Sequence, residues 1–184
     1  MKGTAGKITP RVPVGDPQPS RALSQYSVAP ESLSGKKIGL LTTDQVDASL
    51  YNALVKLAKD EKATLEVIAP NIGPIKTNQG KEIVPDHFLA GAPSVLFDCV
   101  VVAPAAQHVQ SLSAEAAAID WIRDAFSHLK VVGFSDVAAI LFEKASVDVE
   151  ADEGVVDISN SDFTQFVTAA KKHRIWDREP KLRS

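Results

Sequence analysis

Phe97-Asp-Cys-Val-Val-Val-Ala-Pro104 is the most apolar run in the chain, and its surroundings decide the fold. A short valine-rich run stopped by a proline reads as a strand buried on both faces, as in parallel sheets. Upstream, Lys36-Lys-Ile-Gly-Leu-Leu-Thr-Thr43 predicts a second strand of this kind, feeding a polar loop at Asp44. Thr64–Ala69 predicts a third, stopped by Pro70. Between these two, residues 48–60 place Leu50, Leu54 and Leu57 on one stripe flanked by Tyr51, Val55 and Ala58, which is helical spacing. Residues 71–94 carry Gly73-Pro74, Asn78-Gln-Gly80, Pro85 and Pro93, and predict a small hairpin excursion turning near Asn78.

Downstream of the central run, the pattern predicts a helix from Ser113 to His128, with Ser113 as its N-cap and Glu115 in its first turn. Lys130–Phe134 predicts the next strand, residues 136–144 a short helix, and Gly154–Ser159 a fifth strand. Residues 162–174 predict a final helix with Phe163, Phe166, Val167 and Ala170 inward. Strands that alternate with helices give an α/β fold. The expected architecture is a flavodoxin-like three-layer α/β/α sandwich with a mostly parallel sheet of five or six strands.

Residues 1–34 differ in kind from the rest of the chain. They hold five of the eleven prolines (Pro10, Pro13, Pro17, Pro19 and Pro30), and proline suits neither a helix interior nor a central strand. The segment is expected to be an extended tail or linker, leaving residues 35–184 as the folded domain. A linker joins two things, so a further domain is expected ahead of Met1.

Composition narrows the function classes. Over 184 residues, 45% are hydrophobic and 23% charged, which is globular rather than disordered or fibrous. Twenty Lys plus Arg against 23 Asp plus Glu give a net charge of −3, no footprint for nucleic acid or an anionic membrane. The single cysteine, Cys99, excludes a disulfide framework and reads as core packing. The apolar stretch from Cys99 to Ala106 is too short to span a bilayer, and the N-terminus lacks the apolar region of a signal peptide. A cytoplasmic protein is the expectation.

In open α/β sheets ligands bind beyond the carboxyl ends of the strands, so chemistry is sought in those loops. Thr42-Thr-Asp-Gln-Val-Asp47 has two acids and no glycine, unsuited to cradling a phosphate. No dinucleotide or nucleoside-triphosphate motif occurs. Gly133-Phe-Ser-Asp-Val137 lies where a nucleophile elbow would be, but Val137 replaces the last glycine, and no histidine is near in sequence. The simpler reading is that Ser135 and Asp136 cap the following helix. Asp148-Val-Glu-Ala-Asp-Glu-Gly154 imitates a calcium loop with its glycine one place late, and reads as a solvated acidic loop. The four histidines (His87, His108, His128 and His173) show no metal-binding spacing, and His128 closes a helix, where positive charge is favourable. Trp121 and Trp176 read as core-covering residues.

Gly35-Lys-Lys-Ile-Gly-Leu-Leu-Thr-Thr-Asp44, Phe97–Pro104 and Lys130-Val-Val-Gly-Phe-Ser135 together resemble the PfpI-type, class I glutamine-amidotransferase-like superfamily. Within it, Asp152-Glu-Gly-Val-Val156 and Lys172-His-Arg-Ile-Trp-Asp-Arg-Glu-Pro180 resemble the C-terminal domain of large-subunit haem catalases. Pro19-Ser-Arg-Ala-Leu-Ser24 resembles the linker that precedes it. The resemblance implies a degenerate site. Active members carry a cysteine at the elbow, a histidine after it and an acid in the first strand's loop, where this chain has Ser135, Asp136 and Asp47. Serine is a poor nucleophile without a base, and Asp136 would repel an oxyanion.

The resemblance therefore implies a chain with no catalytic, cofactor-binding or metal residues, with haem held in a separate catalase core. Its partners would be that core and sister subunits, and its role the stability of the enzyme or its tetramer. An ATP-independent, chaperone-like hold on unfolding proteins is a further implied role, and a residual hydrolase using Ser135 is the alternative.

Overall fold

The computed structural model describes Ser20 and residues 31–182. The remainder of the predicted linker lies outside the described residues.

Six strands form one sheet: β1 (Lys37–Leu41), β2 (Thr64–Ala69), β5 (His87–Phe88), β6 (Cys99–Val102), β7 (Val132–Phe134) and β8 (Val155–Asp157). Their order is β5-β2-β1-β6-β7-β8, and every adjacent pair is parallel. The central run behaves as its composition demands. Cys99 and Val101 face one side and Val100 and Val102 the other, and all four are buried.

On the first face lie α1 (Ala48–Asp60), through Leu50, Leu54 and Ala58, and α5 (Thr164–Lys171), through Phe166, Ala169 and Ala170. On the second lie α3 (Ala116–Ser127), through Trp121, Ile122 and Ala125, and α4 (Ala139–Ala145), through Leu141 and Phe142. Trp121 also satisfies its indole N–H on the Ala92 carbonyl at 2.9 Å. Leu33 is 1% exposed and belongs to the first core, so packing begins just ahead of β1. The three-layer sandwich expected from the sequence is present. Among the described residues, no helix is long and apolar enough to cross a membrane.

The hairpin excursion is also present, as β3 (Ile75–Lys76) antiparallel to β4 (Glu82–Ile83), with Asn78 in its turn. The sixth strand, β5, has no signature in the sequence because two residues carry no period. Flanking groups place it instead. The Val67 N–H donates to Asp86 Oδ2 at 2.7 Å, and His87 Nε2 lies 2.7 Å from Glu66 Oε2.

The predicted helix from Ser113 is corrected. The helix, α3, begins at Ala116 with Glu115 rather than Ser113 at the N-cap position, and a separate short helix, α2 (Val109–Leu112), precedes it. Ser113 is buried, and its Oγ and carbonyl accept from Lys144 Nζ at 2.9 and 3.0 Å, so its hydroxyl is committed across to α4. The last helix is shorter than predicted. Thr164 N–H bonds Asp162 Oδ1 at its start, and His173 adopts φ 70° just past its end.

The C-terminus closes the fold through a buried cation. After α5, a single 3₁₀ turn (Trp176–Arg178) and α6 (Glu179–Leu182) bring Arg178 to 0% exposure. Its guanidinium forms a two-pronged pair with Asp152, Nε to Oδ2 at 2.7 Å and Nη2 to Oδ1 at 2.8 Å. Nη1 donates to the carbonyls of Phe126 and Lys130 at 3.0 and 2.8 Å, and the group lies 4.1 Å over the Phe126 ring. The acidic loop is therefore not wholly solvated. Asp148, Glu150 and Glu153 are exposed, whereas Asp152 turns inward.

Burial alone would raise the Asp152 carboxyl, but Arg178 and the Gly154 N–H hold it below the usual range. A group with a lowered folded pKa stabilises in full above its unfolded value, near pH 4, and loses that contribution as pH falls further. Arg178→Ala strands Asp152 in the interior. It is expected to cost about 3–5 kcal/mol at pH 7 in denaturant melts, with a smaller loss below about pH 4. A change under about 1 kcal/mol at pH 7 would show that the pair does not hold the C-terminus.

Candidate functional site: a cleft at the carboxyl edge of the sheet

The loops after β1, β6, β7 and β8 converge with the tip of the β3–β4 hairpin around a cleft of about 420 Å³. Ser135, Asp136 and Asp47 all line it, so the structure brings together the three residues singled out from sequence. Asn78, Gln107 and Ser159 join them. No sequence signal marks these three, because only the fold unites the hairpin tip with the ends of β6 and β8.

Asp47 and Asp136 have side chains engaged in ways that serve structure. Asp47 is the N-cap of α1, and its Oδ1 accepts the Leu50 N–H at 2.8 Å. Asp47 Oδ2 accepts from Asn78 Nδ2 at 3.1 Å, while Asn78 Oδ1 accepts the Ala48 N–H at 3.0 Å. This reciprocal pair fastens the hairpin to the start of α1 and uses donors that could otherwise have met an anion. A neighbouring acid does the same. Asp44 Oδ1 accepts the Lys76 N–H at 2.7 Å, and that bond holds the Asp44 carboxyl below the usual carboxylate range.

Ser135 follows β7 with φ −86° and ψ 153°, ordinary extended backbone rather than the strained turn that thrusts a nucleophile out of an elbow. Its N–H bonds the Val102 carbonyl at 3.1 Å, and its hydroxyl is buried with no hydrogen-bond partner. The expected capping by Ser135 is corrected, since its side chain makes no cap bond. The turn that follows (Asp136–Ala138) is held by other groups. Asp136 Oδ1 accepts the Val137 N–H at 2.7 Å, and the Asp136 N–H donates to Ser159 Oγ at 2.7 Å. Ser159 is fixed in turn by Asp157 Oδ1, which accepts its N–H at 2.8 Å and also its hydroxyl.

A hydrolase would also need a base and free oxyanion donors. No histidine lines the cleft. His87 pairs with Glu66 at the β5 edge, His128 Nδ1 meets the Asp124 carbonyl at 2.7 Å, and His173 lies 3.9 Å from Asp98. The Ala105 N–H, just beyond β6, donates to Thr43 Oγ1 at 2.8 Å, and Thr42 Oγ1 donates to the Ala103 carbonyl at 2.6 Å. Two threonines at the end of β1 therefore latch the β6 loop and consume a donor facing the site.

Other groups with chemical potential are sealed. Cys99 is fully packed, and burial pushes its thiol up to about 12, so it carries no thiolate at neutral pH. Lys130 is 1% exposed, with Nζ donating to the Phe97 carbonyl at 2.6 Å and to that of Ser94, and burial lowers it to about 8. Among the described residues, no cluster of three His, Cys, Asp or Glu could hold a metal ion. The cleft lining offers hydroxyls, carboxamides and carboxylates, with no imidazole, thiolate or phenolate for a haem iron. The residues here do not fit a haem.

Comparison with known proteins agrees with the architecture. The solved structures it resembles include a ThiJ/PfpI domain protein from Brachyspira murdochii, at TM-score 0.56 and 15% identity, covering 61% of this chain and 65% of that one. Drosophila melanogaster DJ-1beta matches at TM-score 0.55 and 17% identity, covering 61% of each chain. At these identities the likeness is one of fold. In sequence the chain is 38% identical to Catalase C of Rhizobium meliloti over 91% of its length, and 33% identical to Catalase HPII of Pseudomonas aeruginosa over 92%. It spans 24% of the length of each of these relatives. The profile described as the C-terminal domain found in long catalases matches residues 34–180. By that match the chain belongs to the family of C-terminal domains of long catalases.

Proposed function

We propose that this chain is a non-catalytic accessory domain that stabilises a large-subunit catalase or its tetramer, with the haem and the peroxide chemistry confined to a core domain. The observation that carries this reading is the disarmed elbow within that family. Ser135 sits in relaxed backbone, no histidine lines the cleft, and the donor at Ala105 is committed to Thr43. A fold kept under such conditions is kept for its surface and its stability. Its partners are the core and sister subunits, in the cytoplasm, in keeping with the unpaired Cys99. Residues 1–34 serve as the linker to the core and residues 35–184 as the folded unit.

The test is a long catalase carrying this domain, compared with the same enzyme truncated before Leu33. Turnover per haem is expected to be retained at 25 °C, while the midpoint of thermal inactivation falls by about 5 °C or more and tetramers dissociate more readily. Unchanged midpoint and assembly would overturn the reading.

A second reading, chaperone-like capture of unfolding proteins without nucleotide, is favoured by one feature. Ile72, Val84, Phe88, Val95 and Leu96 are exposed within residues 72–96, the stretch that carries β5, with Ile72 at 88%. Near-equimolar domain is then expected to suppress light scattering from a heat-labile client enzyme, and scattering equal to that with an inert protein would remove this reading.

A further inference from the structure

The outer edge of β2 is open for part of its length, and it opens onto an apolar groove. β1 pairs with β2 from Thr64 to Ile68, whereas β5 pairs only with Ile68 and Ala69 on the other side. The Thr64 N–H bonds the Lys36 carbonyl at 2.9 Å and so points toward β1. By the alternation of a strand, Leu65 and Val67 turn their backbone groups outward. Val67 is served by Asp86, whose Oδ2 accepts its N–H at 2.7 Å and whose N–H donates to its carbonyl at 2.9 Å. Leu65 has no such partner for its N–H or carbonyl among the described residues. Beside this edge, Tyr51 and Val55 of α1, Leu65 of β2, and Ile83 and Val84 of the hairpin side line a groove of about 560 Å³. Val55 is 39% and Val84 72% exposed, so apolar surface here is left uncovered.

The place where the chain enters selects the occupant. Leu33 is buried in the core on the α1 face, and the Gly35 N–H donates to the Lys62 carbonyl at 2.9 Å. The chain therefore crosses the amino end of β2 on its way into β1, next to Ala63 and Thr64, which line the groove. Thirty residues precede Glu31, and the nearest are Gln25-Tyr-Ser-Val-Ala-Pro30. In an extended chain Tyr26, Val28 and Pro30 share one face, with Gln25, Ser27 and Ala29 on the other. Laid back along β2 they run antiparallel to it, as edge strands of parallel sheets often do. With Val28 opposite Leu65, Val28 supplies the N–H and carbonyl that Leu65 lacks. Tyr26 then falls opposite Val67, already served by Asp86. Pro30, which has no N–H, falls opposite Ala63, whose own N–H is spent on the Ala58 carbonyl at 2.8 Å. Five residues separate Val28 from Leu33, a reach of about 17 Å against about 7 Å from Ala63 to Leu65.

We propose that residues 25–30 add to the sheet as a short antiparallel edge strand beside β2, with Tyr26 and Val28 seated in the groove between α1 and the hairpin. The end of the linker is then part of the folded unit, and the chain ahead of it leaves in a fixed direction. This assignment does not depend on any role in stabilising a catalase, and its test needs only this chain.

The test is amide hydrogen exchange by NMR on the full 184-residue chain, wild type against the double variant Tyr26→Asp/Val28→Asp, at a low and a high protein concentration. The Leu65 amide is expected to exchange about tenfold or more slowly in the wild type than in the variant, while the amides of β6 and β7 exchange equally in both. Nuclear Overhauser contacts from Val28 to Leu65 and from Tyr26 to the groove are expected in the wild type alone. Equal exchange at Leu65 in the two chains, or absence of these contacts, would overturn the proposal. Protection of Leu65 that grows with protein concentration would also overturn it, by making a second copy the occupant.

Discussion

A guanidinium taken fully out of water must have its charge and its donors matched, and the C-terminal half of this domain is arranged around that requirement at Arg178. Asp152 supplies the charge, Phe126 and Lys130 supply carbonyls, and the Phe126 ring supplies a face. These partners come from the end of α3, the approach to β7 and the loop before β8, so one side chain ties all three segments to the C-terminus. Gly154 shows how close the fit is, since a methyl group there would lie 2.8 Å from Arg178 Nη2 and nearer still to Ile175. Ile175 adds a backbone anchor, its N–H donating to the Leu129 carbonyl at 2.8 Å.

The other half is held by smaller polar devices at the carboxyl edge of the sheet. Thr42 and Thr43 bind the β6 loop, while Asp47 and Asn78 join the hairpin to α1. In an enzyme of this architecture the same edge would be left open and strained for chemistry. Here several of its donors and acceptors are spent on one another, although the Ser135 hydroxyl is not, and Ser135 rests in relaxed backbone. The two core clusters, built on the alternating faces of β6 and β1, are packed by helices on either side of the sheet.

The legibility of the sequence divides along the same line. The strand Cys99–Val102 declares itself as a continuous apolar run, and α1 through the helical spacing of Leu50 and Leu54, because burial selects for both patterns. Ser135, Asp136 and Asp47 can be placed together because each lies at a strand's carboxyl end, where an open α/β sheet concentrates its loops. Arg178 is legible only as part of a basic tail. Its partner lies 26 residues away, and nothing local distinguishes a buried arginine from an exposed one. Lys130 is hidden in the same way, since it opens an apolar strand where a charge usually marks the surface. Ser113 resembles a cap because its type favours caps, but its commitment to Lys144 is tertiary. β5 carries too few residues to announce itself, and Asp86 and Glu66 place it.

On the proposed reading, Ser135 stands in a ThiJ/PfpI-like fold without an activating base. Exposure of the chain to a fluorophosphonate probe, followed by intact-mass measurement, tests it most directly, with a serine hydrolase labelled in parallel. No adduct at Ser135 is predicted under conditions that fully label the hydrolase, because no base deprotonates its buried hydroxyl. A stoichiometric adduct at Ser135 that disappears in Ser135→Ala would contradict the account.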